Sequence, residues 1–379
     1  MSTDIAREEL SNCFDQDPRL LLGGQKLPVA FFQWRSEFVY VTEPKNDLPI
    51  ANILYSHGLT DHAARHFPTA KCLAEAGFRV IQFDLRGHGG QGQAIEQTLP
   101  IKQAYASSES ASQVLEKLEE LRVHPFPDNQ FRCKRYRILQ ATRFGEHLDQ
   151  FNAIAAQIRQ SERFGVDALP LYLLGHSLGA LIGAESAWRW CDERTSGGIA
   201  GLVTFNPAFR PRARPGNLLE KIAIDSFWLS RSAPRWLLPV SISRFGFKSL
   251  FDLDFPIPTS WGIPYLSEQR EESNLYEADP LTLDAVPSRY VRSISNQMEK
   301  TDRRSTPFPH DLLTILPGRD GITSVRGGLN FARKPCTGTN SLVRLDDTCA
   351  HDLMRSASRS KARKAITSWL GDRINTSRT

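Results

Sequence analysis

Short apolar runs separated by amphipathic stretches organise this chain. Six runs, Asn52–Tyr55, Arg79–Phe83, Leu171–Leu174, Leu202–Phe205, Leu312–Leu316 and Leu342–Leu345, are four or five residues long and largely apolar. Runs of that length without polar alternation predict strands buried on both faces of a parallel sheet. Between them the apolar period lengthens to that of a helix. Phe144, Leu148, Phe151, Ala155 and Ile158 mark one face of a helix before the Leu171 run, and Leu178 to Cys191 reads as another. Strand alternating with helix predicts a doubly wound α/β core.

Two segments break that rhythm. Residues 93–140 hold an amphipathic helix with apolar Ala111, Val114, Leu115, Leu118 and Leu121, which Ser107 or Ser108 is placed to cap. The basic stretch after it, Phe131–Arg137, reads as irregular and solvated. Residues 206–305 are dense in proline and aromatics, including Trp228, Trp236 and Trp261 and Phe227, Phe245, Phe247, Phe251 and Phe255. A segment this apolar must pack on the core or cover something.

Charge adds one local feature. The chain of 379 residues carries a net +5, while residues 355–379 alone carry +6, from Arg355, Arg359, Lys361, Arg363, Lys364, Arg373 and Arg378 against Asp372. The remainder is near neutral, and no basic module for nucleic acid is present. Ala362, Ala365, Ile366, Trp369 and Leu370 recur at helical spacing in this tail. They predict a final core-packing helix whose basic outer face suits contact with an anionic lipid surface. Cys13, Cys72, Cys133, Cys191, Cys336 and Cys349 show neither CxxC nor zinc spacing, so reduced, inert thiols are expected. The first residues are acidic and lack the basic start and apolar middle of a signal peptide. The apolar stretch Leu171–Trp190 contains His176, Ser177 and Glu185 and reads as strand plus helix rather than a membrane span. A cytoplasmic protein is expected, with peripheral membrane contact left open.

The strongest chemical signal is Gly175-His176-Ser177-Leu178-Gly179, directly after one expected strand and opening a helix. That is the context of a nucleophile elbow, in which glycines permit a tight turn that projects the serine at the strand's C-terminal end. Ser56-His57-Gly58-Leu59 ends an earlier strand. A His-Gly turn there aims a backbone amide toward the serine, so that Leu59 and Leu178 N–H groups would form an oxyanion hole. A nucleophilic serine needs a histidine base and an orienting acid. Only His310 and His351 follow Ser177; His310 precedes a strand in a proline-rich approach, whereas His351 lies in the loop after the Leu342 run. Asp320 follows the Leu312 run and is the preferred acid. Asp311 sits at the wrong strand end, and Asp346 and Asp347 stand too near His351. His57, His62 and His66 include helical spacing without an accompanying carboxylate or cysteine set, so no metal is expected. The glycine-rich Asp84–Gly90 stretch follows a strand and is read as lacking the GxGxxG fingerprint of a dinucleotide loop, and no cofactor is expected.

His57-Gly58-Leu59-Thr60-Asp61-His62, Asp84-Leu85-Arg86-Gly87-His88-Gly89 and Gly175-His176-Ser177-Leu178-Gly179 together resemble the monoacylglycerol lipase and lysophospholipase group of α/β-hydrolases, also called the serine aminopeptidase-like group. The likeness covers residues 25–91 and 141–370. Asn274–Leu281 resembles the Asp-Pro-Leu segment through which that group's cap rejoins the core. The resemblance implies an α/β-hydrolase fold: a mostly parallel eight-stranded sheet with helices on both faces and a helical cap after the sixth strand. It also implies a triad, carried here onto Ser177, Asp320 and His351, with the Leu59 and Leu178 amides as oxyanion hole and His57, Gly58, Gly175 and Gly179 as supporting motif residues. The turn Gly87–Gly92 lacks the serine of the group's pattern. The expected organisation is core at 25–92, an insertion at 93–140, core with the elbow at 141–206, a cap at 207–305, and core with acid, histidine and last helix at 306–379. The expected activity is cleavage of carboxylic esters with lipid-like or other apolar acyl chains. A peptidase, a thioesterase and an inactive hydrolase-fold binding protein are the competing readings.

Overall fold

The computed structural model describes residues 29–34, 37–45, 48–91, 95–121, 129–161, 164, 169–192, 198–210, 254 and 256–377. Its strands are β1 (Val29–Trp34), β2 (Glu37–Thr42), β3 (Ala51–Ser56), β4 (Phe78–Phe83), β5 (Leu171–His176), β6 (Ile199–Phe205), β7 (Pro256–Pro258), β8 (Ala285–Pro287), β9 (Asp311–Pro317) and β10 (Asn340–Leu345). Eight of them form one sheet in the order β1-β2-β4-β3-β5-β6-β9-β10, while β7 and β8 pair separately. From β4 to β10 every neighbouring pair is parallel. The antiparallel β2 joins β4, and β1 folds back on β2. The mostly parallel, eight-stranded α/β sheet expected from the sequence is therefore the fold observed.

Among the described residues ten α-helices accompany the strands: α1 (Phe67–Glu75), α2 (Ile95–Ala106), α3 (Ala111–Leu121), α4 (Asn129–Ala141), α5 (Phe144–Gln160), α6 (Leu178–Asp192), α7 (Arg270–Ala278), α8 (Ser288–Arg303), α9 (Val325–Ala332) and α10 (Arg359–Ser377). Because successive strand residues point to opposite faces, each central strand feeds two cores. Leu54, Ile81 and Leu173 meet Phe151, Ile154 and Ile158 of α5 and Leu181 and Ile182 of α6. Their neighbours Ile53, Val80, Tyr172 and Leu174 meet Ala70 and Leu73 of α1 and Ala362, Ile366, Trp369 and Leu370 of α10. The apolar stripe of the C-terminal tail is thus a core-packing face, as expected. Buried on both faces, the central strands carry no polar alternation.

Several expectations need correction. β10 is an edge strand whose residues alternate in exposure, with Leu342 at 42%. β1 and β2 went unread because no helix separates them from each other. The signal was present, since two apolar runs lie two residues apart. Neither Ser107 nor Ser108 caps α3. Ser110 does, its Oγ accepting from Gln113 N at 3.3 Å, while Lys117 Nζ donates to the Ser107 and Ser108 hydroxyls at 2.9 and 3.0 Å. Cys133, Cys191 and Cys349 are exposed, and Cys72 and Cys336 are partly buried. Of the aromatic-rich stretch, Trp228, Trp236, Phe227, Phe245, Phe247, Phe251 and Phe255 lie outside the described residues.

The basic stretch at 131–137 is helical, forming the middle of α4, and one of its cations is buried. Arg135 is 2% exposed and donates to the carbonyl oxygens of Leu281 at 2.6 Å, Thr282 at 3.1 Å, Pro280 at 3.2 Å and Gly89 at 3.4 Å. The helix escaped the hydrophobic period because its inward positions, Arg135 and Leu139, include a charge. Arg132, Lys134 and Arg137 stay exposed, as expected. Removing Arg135 strands four acceptors on a turn that contacts the core. Arg135→Met is expected to lower unfolding stability by about 3 kcal/mol in urea titration; an unchanged midpoint would contradict this role.

Candidate active site

Ser177 occupies the single residue between β5 and α6 and takes a left-handed conformation, φ 52°. Two backbone approaches enforce the turn. A Cβ on Gly175 would lie 2.5 Å from the Ala180 backbone, and one on Gly179 would lie 2.2 Å from the Ser56 carbonyl oxygen. No larger residue fits either position without moving backbone. Ser177 N donates to Phe205 O at 3.3 Å, and Ser177 O accepts from Ala208 N at 3.0 Å. The strain of a non-glycine residue at positive φ is held by these contacts on both sides.

Ser177 Oγ lies 3.0 Å from His351 Nε2, and His351 Nδ1 lies 2.8 Å from Asp320 Oδ2. All three residues are at most 5% exposed. Asp320 follows the C-terminal end of β9 and accepts from Ile322 N at 2.7 Å, Thr323 N at 2.9 Å, Thr323 Oγ1 at 2.8 Å and Asn206 Nδ2 at 3.2 Å. Burial alone would raise its pKa; the facing His351 and these hydrogen bonds overcome that and hold it at about 2. Burial likewise opposes charge on His351, but Asp320 outweighs it and raises the imidazole pKa above its ordinary value. His351 N donates to Tyr265 O at 2.9 Å, which fixes its loop against the segment before α7.

The rival acids stand elsewhere. Asp311 accepts from Thr339 N, Asp346 pairs with Arg344, and Asp347 pairs with Lys361 on the surface. His310 Nε2 donates to Ala187 O at 3.1 Å. A residue the sequence reading missed is Asn206, at the end of β6 with φ 47°. Its amide nitrogen bridges Asp320 Oδ2 and Ala350 O, tying the acid loop to the histidine loop. A polar residue directly after a buried strand was the available cue.

Gly58 packs beside the serine: a Cβ there would lie 3.2 Å from Ser177 Cβ. This brings the Leu59 turn next to the start of α6, where the Leu178 amide belongs to the first helical turn and has no intrahelical acceptor. His57 braces that turn. Its Nδ1 donates to Gly58 O at 2.8 Å and its Nε2 accepts from Leu85 N at 2.9 Å. Burial lowers its pKa to about 3, so the ring stays neutral and this tautomer is fixed.

The histidines after the turn do have carboxylate partners, contrary to the sequence reading. His62 Nε2 meets Asp279 Oδ2 at 2.7 Å, and His66 Nε2 meets Asp61 Oδ2 at 2.7 Å. Asp61, His66, His176 and Asp352 bring four ligand-type atoms within 4.8 Å of one another. Most of their polar atoms have partners nearby, while His176 Nδ1 is buried without one: His66 Nδ1 meets Tyr55 OH at 2.7 Å, Asp61 meets Arg65 at 2.9 Å, Met354 N donates to Asp352 Oδ1 at 3.1 Å, and His176 Nε2 donates to His351 O at 3.1 Å. They form a polar floor under the serine and histidine loops. Gly87-His88-Gly89-Gly90-Gln91-Gly92 does show the glycine spacing of a dinucleotide loop. Its use is different: Gln91 Oε1 accepts from Gly87 N at 2.8 Å, and a Cβ on Gly89 would lie 2.4 Å from the Asp84 carboxyl group. The turn is filled by its own side chains.

These environments make the histidines separable. In an NMR titration, His57 and His88, with pKa values lowered to about 3 by burial, and His176, lowered to about 4, are expected to remain neutral down to pH 5. His351 is expected to titrate above 6.5. A raised folded pKa stabilises below the unfolded value and is lost as pH rises through the folded one. The Asp320 contribution is present above about pH 4 and is lost as pH falls toward 2. Titration of His351 below 6.5 would contradict the pairing.

The family described as serine aminopeptidase, S33, matches residues 47–122 and 135–357. Among curated proteins, an uncharacterized abhydrolase domain-containing protein of Dictyostelium discoideum is 19% identical over 332 residues, covering 86% of this chain; the chain spans only 27% of that protein's length. Among solved structures, a monoacylglycerol lipase of Paleococcus ferrophilus is 17% identical with a TM-score of 0.54, covering 89% of this chain and 99% of the other. A soluble variant of the Saccharomyces cerevisiae monoglyceride lipase is 14% identical with a TM-score of 0.56, covering 92% and 97%. A carboxyl esterase of Bacillus coagulans is 14% identical with a TM-score of 0.53, covering 91% and 98%. The family match takes in both the serine turn and the histidine loop, and the chain belongs to the serine aminopeptidase S33 family of α/β-hydrolases, a family of serine hydrolases.

Proposed function

We propose that this protein hydrolyses carboxylic esters of apolar acyl chains, of the monoacylglycerol or lysophospholipid type, with Ser177 as nucleophile, His351 as base and Asp320 as its orienting acid. The observation that carries the reading is the continuous relay from Ser177 Oγ to His351 at 3.0 Å and from His351 to Asp320 at 2.8 Å. With Nδ1–H donated to Asp320, the Nε2 lone pair of His351 faces the Ser177 hydroxyl. His351 takes the proton as Oγ attacks the ester carbonyl, and the oxyanion rests on the Leu59 and Leu178 amides at the positive end of α6. Collapse expels the alcohol, which leaves with the proton from His351. Water then enters, gives a proton to His351 and attacks the acyl carbon; the bond to Ser177 Oγ breaks, Oγ takes the proton back from His351, and the acid leaves. The lipase relatives support the apolar acyl preference. The family description favours peptide bonds as the second reading.

Initial rates on p-nitrophenyl esters from C2 to C16, set against amino-acid arylamides, separate the two. Ester turnover is expected to exceed arylamide turnover. Its kcat/KM is expected to climb with chain length by up to about fourfold per methylene while the chain remains buried. Arylamides turned over faster than esters would favour the peptidase. Asp320→Asn is expected to lower kcat by about 10⁴ through loss of the productive tautomer. Wild-type turnover in that variant would remove Asp320 from the relay. The wild-type rate is expected to rise with pH through a limb above 6.5, as His351 becomes the free base.

A further inference from the structure

The basic C-terminal segment has an inward face. Arg359 and Arg363 lie one turn apart on α10, and Arg355 ends the short turn Leu353–Arg355 before it. With Arg65 they line a cavity of about 100 Å³, whose opposite wall is Ser108–Ala111 at the start of α3. Arg355 is 7% exposed. It gives one terminal nitrogen to Glu272 at 2.5 Å and the other to the Arg65 carbonyl oxygen, while its buried Nε has no partner. Arg363 donates to the neutral Thr69 Oγ1 at 3.3 Å, and its Nε is also buried without a partner. Arg359 enters no ion pair among the described residues.

Carboxylates offset the two innermost cations: against burial, Glu272, a wall residue, and Asp352 raise the pKa of Arg355, and Asp61, Asp279 and Glu272 raise that of Arg65. Among the described residues they leave Arg359 and Arg363 without a carboxylate partner. Glu272 is taken by Arg355, Asp61 by Arg65, and Glu109 is 83% exposed beside Lys71. Burial lowers the pKa of Arg363, and the positive charges of Arg359 and Arg355 push it the same way. Helix polarity compounds the imbalance. The first two turns of α10 carry Arg359, Lys361, Arg363 and Lys364 with no acid, the reverse of the placement that stabilises a helix. The first turn of α3 also has no acid. Two helix starts and two guanidinium groups without a carboxylate converge on one space.

We propose that this cavity is a binding site for a phosphate-class dianion, either free or as a phosphomonoester headgroup. Arg359 and Arg363 supply the charge-assisted forks, with Arg355 and Arg65 adding positive charge to the wall. A volume of about 100 Å³ admits a phosphate group. Arg355 N donates to Asp352 O at 3.1 Å, one residue beyond His351. Occupancy therefore braces the loop that carries His351, and the site exists whether or not that histidine is catalytic.

Calorimetric titration of the full chain with inorganic phosphate, against sodium chloride at matched ionic strength, tests the assignment. Saturable binding and a rise in Tm absent from chloride are expected. Arg359→Gln and Arg363→Gln should each weaken the Kd about tenfold, with circular dichroism confirming their fold, and Arg363→Lys should recover part of the loss. Absence of saturable phosphate binding in the wild type, or an unchanged Kd in the double variant, would overturn the site. Sedimentation with phosphatidic acid vesicles, against phosphatidylcholine vesicles, identifies the source. Sedimentation that free phosphate competes away assigns a lipid headgroup, and phosphate binding without sedimentation assigns a soluble phosphate.

Discussion

One backbone contact fixes the centre of this molecule: α6 starts so close to the end of β3 that Gly179 has no room for a side chain against the Ser56 carbonyl. That approach puts Ser177 at the tip of β5 in a left-handed conformation and brings the Gly58-Leu59 turn alongside it. The serine, the start of a helix dipole and the second turn are thereby assembled by chain geometry alone. The flanking strands supply the force for this crowding, since their side chains fill both apolar layers. A densely packed interior transmits such strain instead of relaxing it.

Beneath this turn the protein buries an unusual amount of charge. Lys102 contacts Asp84 at 2.8 Å, Tyr105 contacts Asp279, and Arg135 clasps the segment just after it. All three donors come from the helices between β4 and β5, and Asp279 closes on His62 two residues beyond Thr60. Burial lowers the Lys102 pKa to about 7 and raises that of Asp84. Buried pairs of this kind add little net stability, because desolvation offsets their attraction. Their effect is on register. They allow one placement of the extra helices and of the Asp279–Leu281 segment against the turn that bears Leu59.

The parts of this architecture visible in sequence are those ruled by apolar burial. The six runs from Asn52 to Leu345 all became strands, and Ile366, Trp369 and Leu370 mark a core-packing helix. The glycine pattern around Ser177 was equally plain, since close backbone approach leaves few substitutes for glycine. Partners defined by charge across long separations were not visible. Nothing local to Arg135 announces carbonyls 145 to 147 residues away, and the reading of its segment as solvated failed for that reason. Asn206, linking the Asp320 and His351 loops, belongs to the same class. The basic tail was half legible: its total charge was clear, but not that Arg355 and Arg363 turn inward while Lys361 and Arg373 meet surface carboxylates.

On the proposed mechanism, burial, a left-handed turn and a histidine held by Asp320 make one serine nucleophilic. Peptide mapping of the folded protein after reaction with a fluorophosphonate addresses it most directly. A single phosphonyl group is expected on the peptide bearing Ser177, formed at a rate that rises with pH through the His351 titration and absent from Ser177→Ala. Modification of another residue, persistence of labelling in Ser177→Ala, or no adduct on folded protein would contradict it.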